Sequence, residues 1–193
     1  MSFDVPSIIK PNIYKIAILR ANALGDFIFA LPALGALRST YPSAEIVLLG
    51  QEWHQRFLAQ RNSPVDRVIV IPEGAVDHSL EEAGTATAAF FEAMRQEKFD
   101  LAIQLHGGGR QSNPFILRLG AKMTIGMRTP DAALLDRWIP YLFYQPEVFR
   151  YLEVVSLVGA TTHQWQPSLH VTEADVAESC RVVTEGVKPL VVL

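Results

Sequence analysis

Short aliphatic runs alternate with longer segments of helical periodicity along most of the chain. Five runs are nearly continuous in Val, Ile and Leu, which is typical of strands buried on both faces of a parallel sheet. These predicted strands are Ile13–Arg20, Glu45–Gly50, Asp66–Pro72, Asp100–His106 and Met123–Met127. The predicted helices are Asp26–Tyr41, Glu52–Arg61, Ala83–Glu97, Asn113–Leu119 and Glu147–Val158. The alternation predicts an α/β fold with a mostly parallel sheet and helices on both of its faces.

Two segments interrupt this simple alternation. Pro32 lies inside the first predicted helix, where it should kink the helix or mark a restart because it lacks an amide donor. The segment Trp138–Pro146 is aromatic and contains two prolines, so the pattern assigns it no helix or strand.

The C-terminal part of the chain has the pattern of a junction between domains. Ala160–Thr172 has the composition of a linker, and Thr172–Asp175 has a capping-box pattern that predicts a helix ending near Gly186. Lys188–Leu193 is apolar and predicts a new buried strand. We therefore predict one domain over residues 1–160. Residues 161–193 would be a linker helix and the first strand of a second domain that continues beyond the sequence, so its packing surface here would be exposed and apolar.

The composition narrows the class of protein. Hydrophobic residues make up 49% and charged residues 19% of the 193 residues, which predicts a packed core and little disorder. The net charge of −3 gives no reason to expect nucleic-acid binding or attraction to anionic membranes. The single cysteine cannot form an intramolecular disulfide, which fits a reducing compartment. Without a visible signal peptide or membrane-length apolar run, we expect a soluble, cytoplasmic protein, with peripheral membrane contact left open.

The loops that follow the predicted strands are the expected place for a ligand. The carboxyl ends of parallel strands share one edge of a sheet, and ligands bind outside that edge. Five loops should meet there: Ala21–Gly25, Gly50–Trp53, Pro72–Ala75, Gly107–Gln111 and Arg128–Asp131.

The first of these loops runs from Arg20 through Asn22 and Gly25 to Asp26, at the start of a predicted helix. Gly25 would permit a tight turn. The Asp26 carboxylate could then accept a proton from a substrate hydroxyl, with helix-end amides stabilising its ionised form. The alternative is that Asp26 is only an N-cap, a position where Asp is common without any catalytic role.

The fourth loop contains Gly107, Gly108 and Gly109 between His106 and Arg110. Three glycines let a ligand approach the backbone closely, and the arginine could pair with a phosphate or carboxylate. A flexible turn with a solvated arginine is the alternative. The loop lacks the Lys-Ser/Thr pair of a nucleotide-binding P-loop, and the five histidines show no metal-ligand spacing.

Arginines are predicted near the same edge of the sheet. Arg20, Arg110 and Arg128 follow or end strands, and Arg118 is less clearly placed. Several cations that face one cleft would suit an anionic substrate, whereas ordinary surface charge is the alternative for any one of them. No Gly-x-Ser-x-Gly elbow is present, so a hydrolase triad is not predicted.

The segment Ile16–Gly50 resembles the N-terminus of glycosyltransferase family 9, the ADP-heptose:lipopolysaccharide heptosyltransferases. The resemblance lies in Gly25-Asp26 after the first strand, Leu31-Pro32-Ala33-Leu34 within the helix, and Tyr41-Pro42 before the second strand. It extends over nearly the whole chain, through Phe99–Leu105, Thr124–Gly126, Tyr151–Gly159 and Lys188–Leu193.

The resemblance implies the N-terminal half of a GT-B glycosyltransferase, in which two Rossmann-like domains face each other across a cleft. It implies that Asp26 is the general base of an inverting transfer, and that no metal or other cofactor is needed. The donor, typically ADP-heptose, would bind mainly on the C-terminal domain, so this chain alone should be inactive. A phosphorylated sugar or glycan acceptor of the lipopolysaccharide type would bind here. The predicted acceptor contacts are Asn22, Gly25, Gly107, Gly108, Gly109, Arg110 and Arg128.

The sequence departs from the family around its strongest motif. Ala21–Leu24 replaces polar residues that the family often has before Gly-Asp, and Phe27, Ile28 and Phe29 follow Asp26. Another sugar or acceptor therefore stays open. A non-catalytic domain that binds sugar phosphates is the main alternative. A flavodoxin-like or nucleotide-binding domain is weaker, because no phosphate-loop motif is present.

Overall fold

The computed structural model describes residues 12–76 and 85–183. Within them, six parallel strands form one sheet in the order β3-β2-β1-β4-β5-β6. The strands are β1 (Lys15–Leu19), β2 (Glu45–Gly50), β3 (Arg67–Val70), β4 (Leu101–Gln104), β5 (Met123–Arg128) and β6 (Arg137–Pro140). The helices are α1 (Leu24–Thr40), α2 (Glu52–Leu58), α3 (Thr85–Gln96), α4 (Ser112–Arg118), α5 (Glu147–Ser156) and α6 (Glu173–Val182). The predicted α/β fold with a parallel sheet is confirmed.

Side chains of the central strand alternate between two hydrophobic cores. Ile16 and Ile18 face a core that contains buried residues of α1 and α5, whereas Ala17 and Leu19 face a core that contains residues of α3 and α4. Each fully buried aliphatic side chain of this kind contributes about 1.5–3 kcal/mol to folding. Burial on both faces explains why the central strands are aliphatic runs and not polar–apolar alternations.

Helix α1 is a single helix that continues through Pro32, so the predicted restart is wrong. A proline inside a helix removes one backbone hydrogen bond and costs about 3 kcal/mol. Leu31, Leu34 and Leu37 of the same helix are buried. Burial of this face compensates for the cost of the proline and keeps α1 continuous.

The sixth strand is the element that the sequence pattern did not predict. Strand β6 pairs in parallel with β5 at the edge of the sheet, and Ile139 is its one buried residue. An edge strand needs no continuous aliphatic run and tolerates a terminal proline such as Pro140. The loop that follows exposes Phe143 and Tyr144, whose rings contact each other edge to face.

The C-terminal described segment agrees with the predicted helix start. Residues 160–172 contain no helix or strand, and Thr172 and Asp175 form the capping box at the start of α6. No side chain of α6 is buried, and an ion pair between Arg61 and Asp175 connects it to the loop after α2. The predicted strand Lys188–Leu193 lies outside the described residues, and the domain division at residue 160 stays a prediction. None of the described helices combines the length and apolarity needed to cross a membrane.

Candidate functional site

The strand order reverses direction between β1 and β4, because β1 pairs with β2 on one side and with β4 on the other. Such a topological switch point is where open α/β sheets bind ligands. The loops after β1 and β4 leave the sheet side by side here, and the Ala21 amide donates to Nδ1 of His106 over 3.3 Å. The site therefore has a fixed centre formed by two loops that are far apart in the sequence.

Two neighbouring cavities open at this edge. The switch-point cavity, of about 790 Å³, is lined by Asp26 and by the loops after β1, β2 and β3. The glycine-loop cavity, of about 400 Å³, is lined by the loops after β4 and β5 together with Tyr141. Asn22 and His106 line both cavities. The predicted convergence of five loops is thus confirmed. Five of the seven predicted contacts line the second cavity, namely Asn22, Gly107, Gly108, Gly109 and Arg110.

Asp26 is the third residue of α1, which begins at Leu24 with Ala23 as its N-cap. The interpretation of Asp26 as the N-cap is therefore wrong. The reason given for Gly25 is also wrong, because Gly25 belongs to the helix and does not have a positive φ. A Cβ atom at Gly25 would meet no atom within 4 Å, and Gly25 lines neither cavity.

A buried guanidinium fixes the Asp26 carboxylate. Arg20 is 1% exposed, and its Nη2 lies 3.3 Å from Oδ1 of Asp26. Its Nε donates to the Asp26 backbone carbonyl over 3.1 Å, and its Nη1 donates to the Leu105 carbonyl over 2.7 Å. Arg20 was predicted as a cation facing a ligand. It lies beneath the site instead, and it holds a carboxylate that is still about one third exposed, at 35%.

Glu147, a second carboxylate, shares this guanidinium. Its Oε2 accepts from Nη2 of Arg20 over 3.2 Å, and the Tyr151 ring lies 5.0 Å from the guanidinium carbon. Burial raises the pKa of Tyr151, so its hydroxyl stays neutral. Sequence analysis missed both residues. Glu147 lies 127 positions after Arg20 and has no motif of its own, so the sequence contains no signal that would have found it.

His54 packs behind the site and lines neither of its two cavities. Burial lowers the pKa of His54 to about 4, so the ring is neutral at physiological pH. Its Nδ1 accepts from the Gln51 amide over 3.0 Å, and its ring stacks on Trp53 and meets Phe27 edge to face. These contacts pack the start of α2 against α1.

The glycine loop is a turn held by hydrogen bonds. Nε2 of the buried Gln104 donates to the His106 carbonyl over 2.6 Å, and the Ser112 hydroxyl donates to the same carbonyl over 2.7 Å. Gly109 has a φ of +95°, and a Cβ atom there would lie 2.7 Å from the Met127 carbonyl oxygen. The fixed geometry favours a site-forming loop over the flexible-turn alternative.

The predicted arginines do not gather in one cleft. Arg110 lines the glycine-loop cavity with a largely exposed side chain, 3.7 Å from Asp131. Arg128 lines neither cavity, because its guanidinium donates to the carbonyls of Pro130 and Ala132. Arg118 lies over the ring of Phe91, which belongs to the core formed with α3 and α4.

The switch-point cavity is acidic where it is described. Its lining includes Asp26, Glu52 and Glu73 but no lysine or arginine within residues 12–76 and 85–183. In the same described part of the chain, no three His, Cys, Asp or Glu side chains come close enough together to hold a metal ion.

Comparison with known proteins gives structural matches only. No protein-family model matches the chain, and no curated protein matches its sequence. A glycosyltransferase family 9 structure from Veillonella parvula DSM 2008 matches with a TM-score of 0.66 and 19% identity, over 92% of this chain and 52% of that one. Escherichia coli heptosyltransferase WaaC with ADP matches with a TM-score of 0.59 and 19% identity, over 78% of this chain and 48% of that one.

A third structure, Escherichia coli ADP-heptose lps heptosyltransferase II, matches with a TM-score of 0.61 and 18% identity, over 87% of this chain and 50% of that one. The chain thus spans about half the length of the structures it matches. At these identities the likeness concerns the fold. The chain has the Rossmann-like α/β fold found in these GT-B glycosyltransferases, as the sequence resemblance predicted.

Proposed function

We propose that this chain is the acceptor-side part of an inverting glycosyltransferase of the heptosyltransferase type, with Asp26 as the general base. One observation carries the proposal. The Asp26 carboxylate lines a cavity at the topological switch point, and a buried arginine fixes it at 3.3 Å while it remains partly exposed. A carboxylate that is both oriented and accessible can take a proton from a bound hydroxyl.

The proposed reaction is a single displacement. Asp26 accepts the proton of the acceptor hydroxyl, and the hydroxyl oxygen forms a bond to the anomeric carbon of the donor. The bond from that carbon to the diphosphate breaks on the opposite side, so the configuration inverts and a nucleoside diphosphate leaves. Holding both reactants in this geometry is worth about 7–11 kcal/mol in favourable cases. The residues of this chain bind and deprotonate the acceptor.

The donor is proposed to be a nucleotide sugar, with ADP-heptose as the first candidate. Two of the matching structures are named as WaaC with ADP and with ADP-2-deoxy-2-fluoro heptose. Donor contacts would come mainly from the part of such enzymes that this chain does not span, and the 193 residues alone should therefore be inactive. As the family resemblance implies, the transfer would need no metal or other cofactor.

The two cavities suggest how the acceptor lies. Its reacting hydroxyl would enter the switch-point cavity beside Asp26, and Asn22 would contact it where the two cavities meet. Its anionic group would lie in the glycine-loop cavity, where the backbone of Gly107–Gly109 and the side chain of Arg110 are available. We propose an acceptor of the lipopolysaccharide type for these two cavities. The enzyme would meet this acceptor in the cytoplasm, through peripheral contact with the membrane.

The test is Asp26→Asn in the protein translated from the complete open reading frame. The amide keeps the size of the side chain but cannot accept the proton, so kcat for sugar transfer should fall by about 10²–10⁴. Donor affinity should not change. Glu52→Gln is the matched control, because it neutralises another carboxylate of the same cavity. An Asp26→Asn protein that retains more than a tenth of the activity would rule out Asp26 as the base.

A second candidate is a non-catalytic domain that binds sugar phosphates. It is favoured by the glycine-loop cavity, which is formed entirely by residues of this chain. Calorimetry with phosphorylated sugars and the 193-residue chain tests it, with Arg110→Ala as the variant expected to lose binding. Binding here, together with no transfer by the complete protein from any nucleotide sugar tried, would favour this candidate.

A further inference from the structure

We propose that Glu147 is a positioning residue for the base. Its carboxylate shares the Arg20 guanidinium with Asp26 and thereby keeps Asp26 able to accept a proton. The proposal rests on the proposed function, since it assumes that Asp26 is the base. It adds a residue from α5 to a site that the sequence analysis placed in the loops after the strands.

The geometry places both carboxylates on the same nitrogen. Nη2 of Arg20 lies 3.3 Å from Asp26 Oδ1 and 3.2 Å from Glu147 Oε2. The other nitrogens of the guanidinium donate to backbone carbonyls, Nη1 to Leu105 and Nε to Asp26. Because Arg20 is buried, the two carboxylates are its counter-charges and share its positive charge. Glu147 also lies near a second cation, Arg150, whereas the ion pair of Asp26 is with Arg20.

Glu147 is itself held in place from three directions. It is the first residue of α5, where the amides of a helix N-terminus favour a carboxylate. Nη2 of Arg20 donates to its Oε2 over 3.2 Å, and Nη1 of Arg150 lies 3.9 Å from its other oxygen. The Arg150 guanidinium is in turn fixed by backbone carbonyls of the loop before α5, including that of Gln145. The carboxylate is therefore anchored at the guanidinium and is not free in solvent.

The consequence is electrostatic. A carboxylate that is the sole partner of a buried guanidinium binds a proton less tightly than a free carboxylate does. A second carboxylate on the same guanidinium restores part of that proton affinity. A general base needs that affinity in order to take a proton during the reaction. The other titratable groups around Asp26 and Arg20 belong to α2, to the loops after β3 and β4, and to α5. They are Glu52, His54, Glu73, His106, Arg150 and Tyr151.

Glu147→Gln tests the proposal, because glutamine can still accept from Arg20 but carries no charge. In the complete protein, the acid limb of the kcat/KM profile should move to lower pH by about one pH unit, a tenfold change in proton affinity. The plateau should fall several-fold, because the base is weaker, while KM for the donor stays unchanged. Glu147→Asp keeps the charge and should leave the acid limb in place. Glu153→Gln, an exposed position on the same helix, is the matched control.

A second measurement needs no activity. A carboxyl-carbon NMR titration of Asp26 in the 193-residue chain should give a midpoint about one pH unit lower in Glu147→Gln than in the unsubstituted chain. Thermal unfolding of each variant verifies that it is folded. An unchanged midpoint or superimposable acid limbs would overturn the role of Glu147, even where Asp26→Asn is inactive. Full activity of Asp26→Asn would instead overturn the proposed function, and the NMR result would still stand as a description of the charge cluster.

Discussion

Replacement of Arg20 by methionine tests how strongly one buried cation stabilises the edge of the sheet. Methionine has a similar length and fills irregular space, but it has no charge and no donor. The change removes the donor to the Leu105 carbonyl, which Arg20 reaches at 2.7 Å. It also leaves the carboxylates of Asp26 and Glu147 without their shared counter-charge.

The expected loss can be worked out from these contacts. A buried carbonyl that loses its donor costs about 1–3 kcal/mol. Breaking a fully buried ion pair costs about 3–5 kcal/mol, but Asp26 and Glu147 are each about one third exposed, so water recovers much of that cost. Loss of the guanidinium over the Tyr151 ring adds about 1 kcal/mol. Since methionine restores part of the packing, we expect a net loss of about 3 kcal/mol.

Urea unfolding of the 193-residue chain measures this loss. The midpoint should fall while the slope stays constant, because the surface exposed on unfolding is nearly the same. Arg110→Met is the matched control, since that side chain is 81% exposed and should change the free energy of unfolding by less than about 0.5 kcal/mol. A loss below about 1 kcal/mol for Arg20→Met would refute the reasoning. The guanidinium would then be held by the site without stabilising it.

Two further substitutions test the glycine loop and the packing behind the site. Gly109→Ala should destabilise the chain by about 2–4 kcal/mol, because the new methyl group meets the Met127 carbonyl at a positive φ. Gly35→Ala has open space inside α1 and should be neutral or slightly stabilising, so equal unfolding midpoints would contradict the argument. As the pH falls from 6.5 to about 4, the free energy of unfolding should decrease less in the His54→Phe variant than in the unsubstituted chain. Burial lowers the pKa of His54 to about 4, so the unfolded state takes up the proton first as the pH falls. Parallel curves of unfolding free energy against pH for the two proteins would contradict this expectation. The exposed His163 provides the control substitution.

The fold was predictable where burial dominates the sequence pattern. Strand β2 has the predicted bounds, because a central parallel strand must be apolar on both faces. Strand β6 was not predictable in the same way. Only Ile139 among its four residues is buried, and the other three are exposed, so the segment has neither a continuous apolar run nor a clean alternation. The strand β6 forms because it pairs with β5, and its own residues do not show that pairing.

The location of the site was predictable from the sequence, but the contacts between its side chains were not. The loops converge because the strands are parallel. The general rules of α/β folds therefore predicted that Asn22 and His106 lie at the edge of the sheet where a ligand would bind. The role of Arg20 depends on partners that follow it by 85 and 127 positions, Leu105 and Glu147. The sequence therefore indicated a cation that faces a ligand, whereas the fold buries it. Gly25 was predicted to permit a tight turn next to Asp26. It lies within α1 without a positive φ, so the backbone does not require a glycine there.

The charges of the two cavities constrain the orientation of an acceptor under the proposed function. Glu52 and Glu73 line the cavity that contains the Asp26 carboxylate, so an anionic group placed there would be repelled. The glycine-loop cavity is lined by one cation and one carboxylate, Arg110 and Asp131, which lie 3.7 Å apart and are both largely exposed. An anionic acceptor would therefore bind with its charge toward Arg110 and its reacting hydroxyl toward Asp26. The arrangement thus separates recognition of charge from removal of the proton, and Asn22 and His106 lie at the boundary between the two.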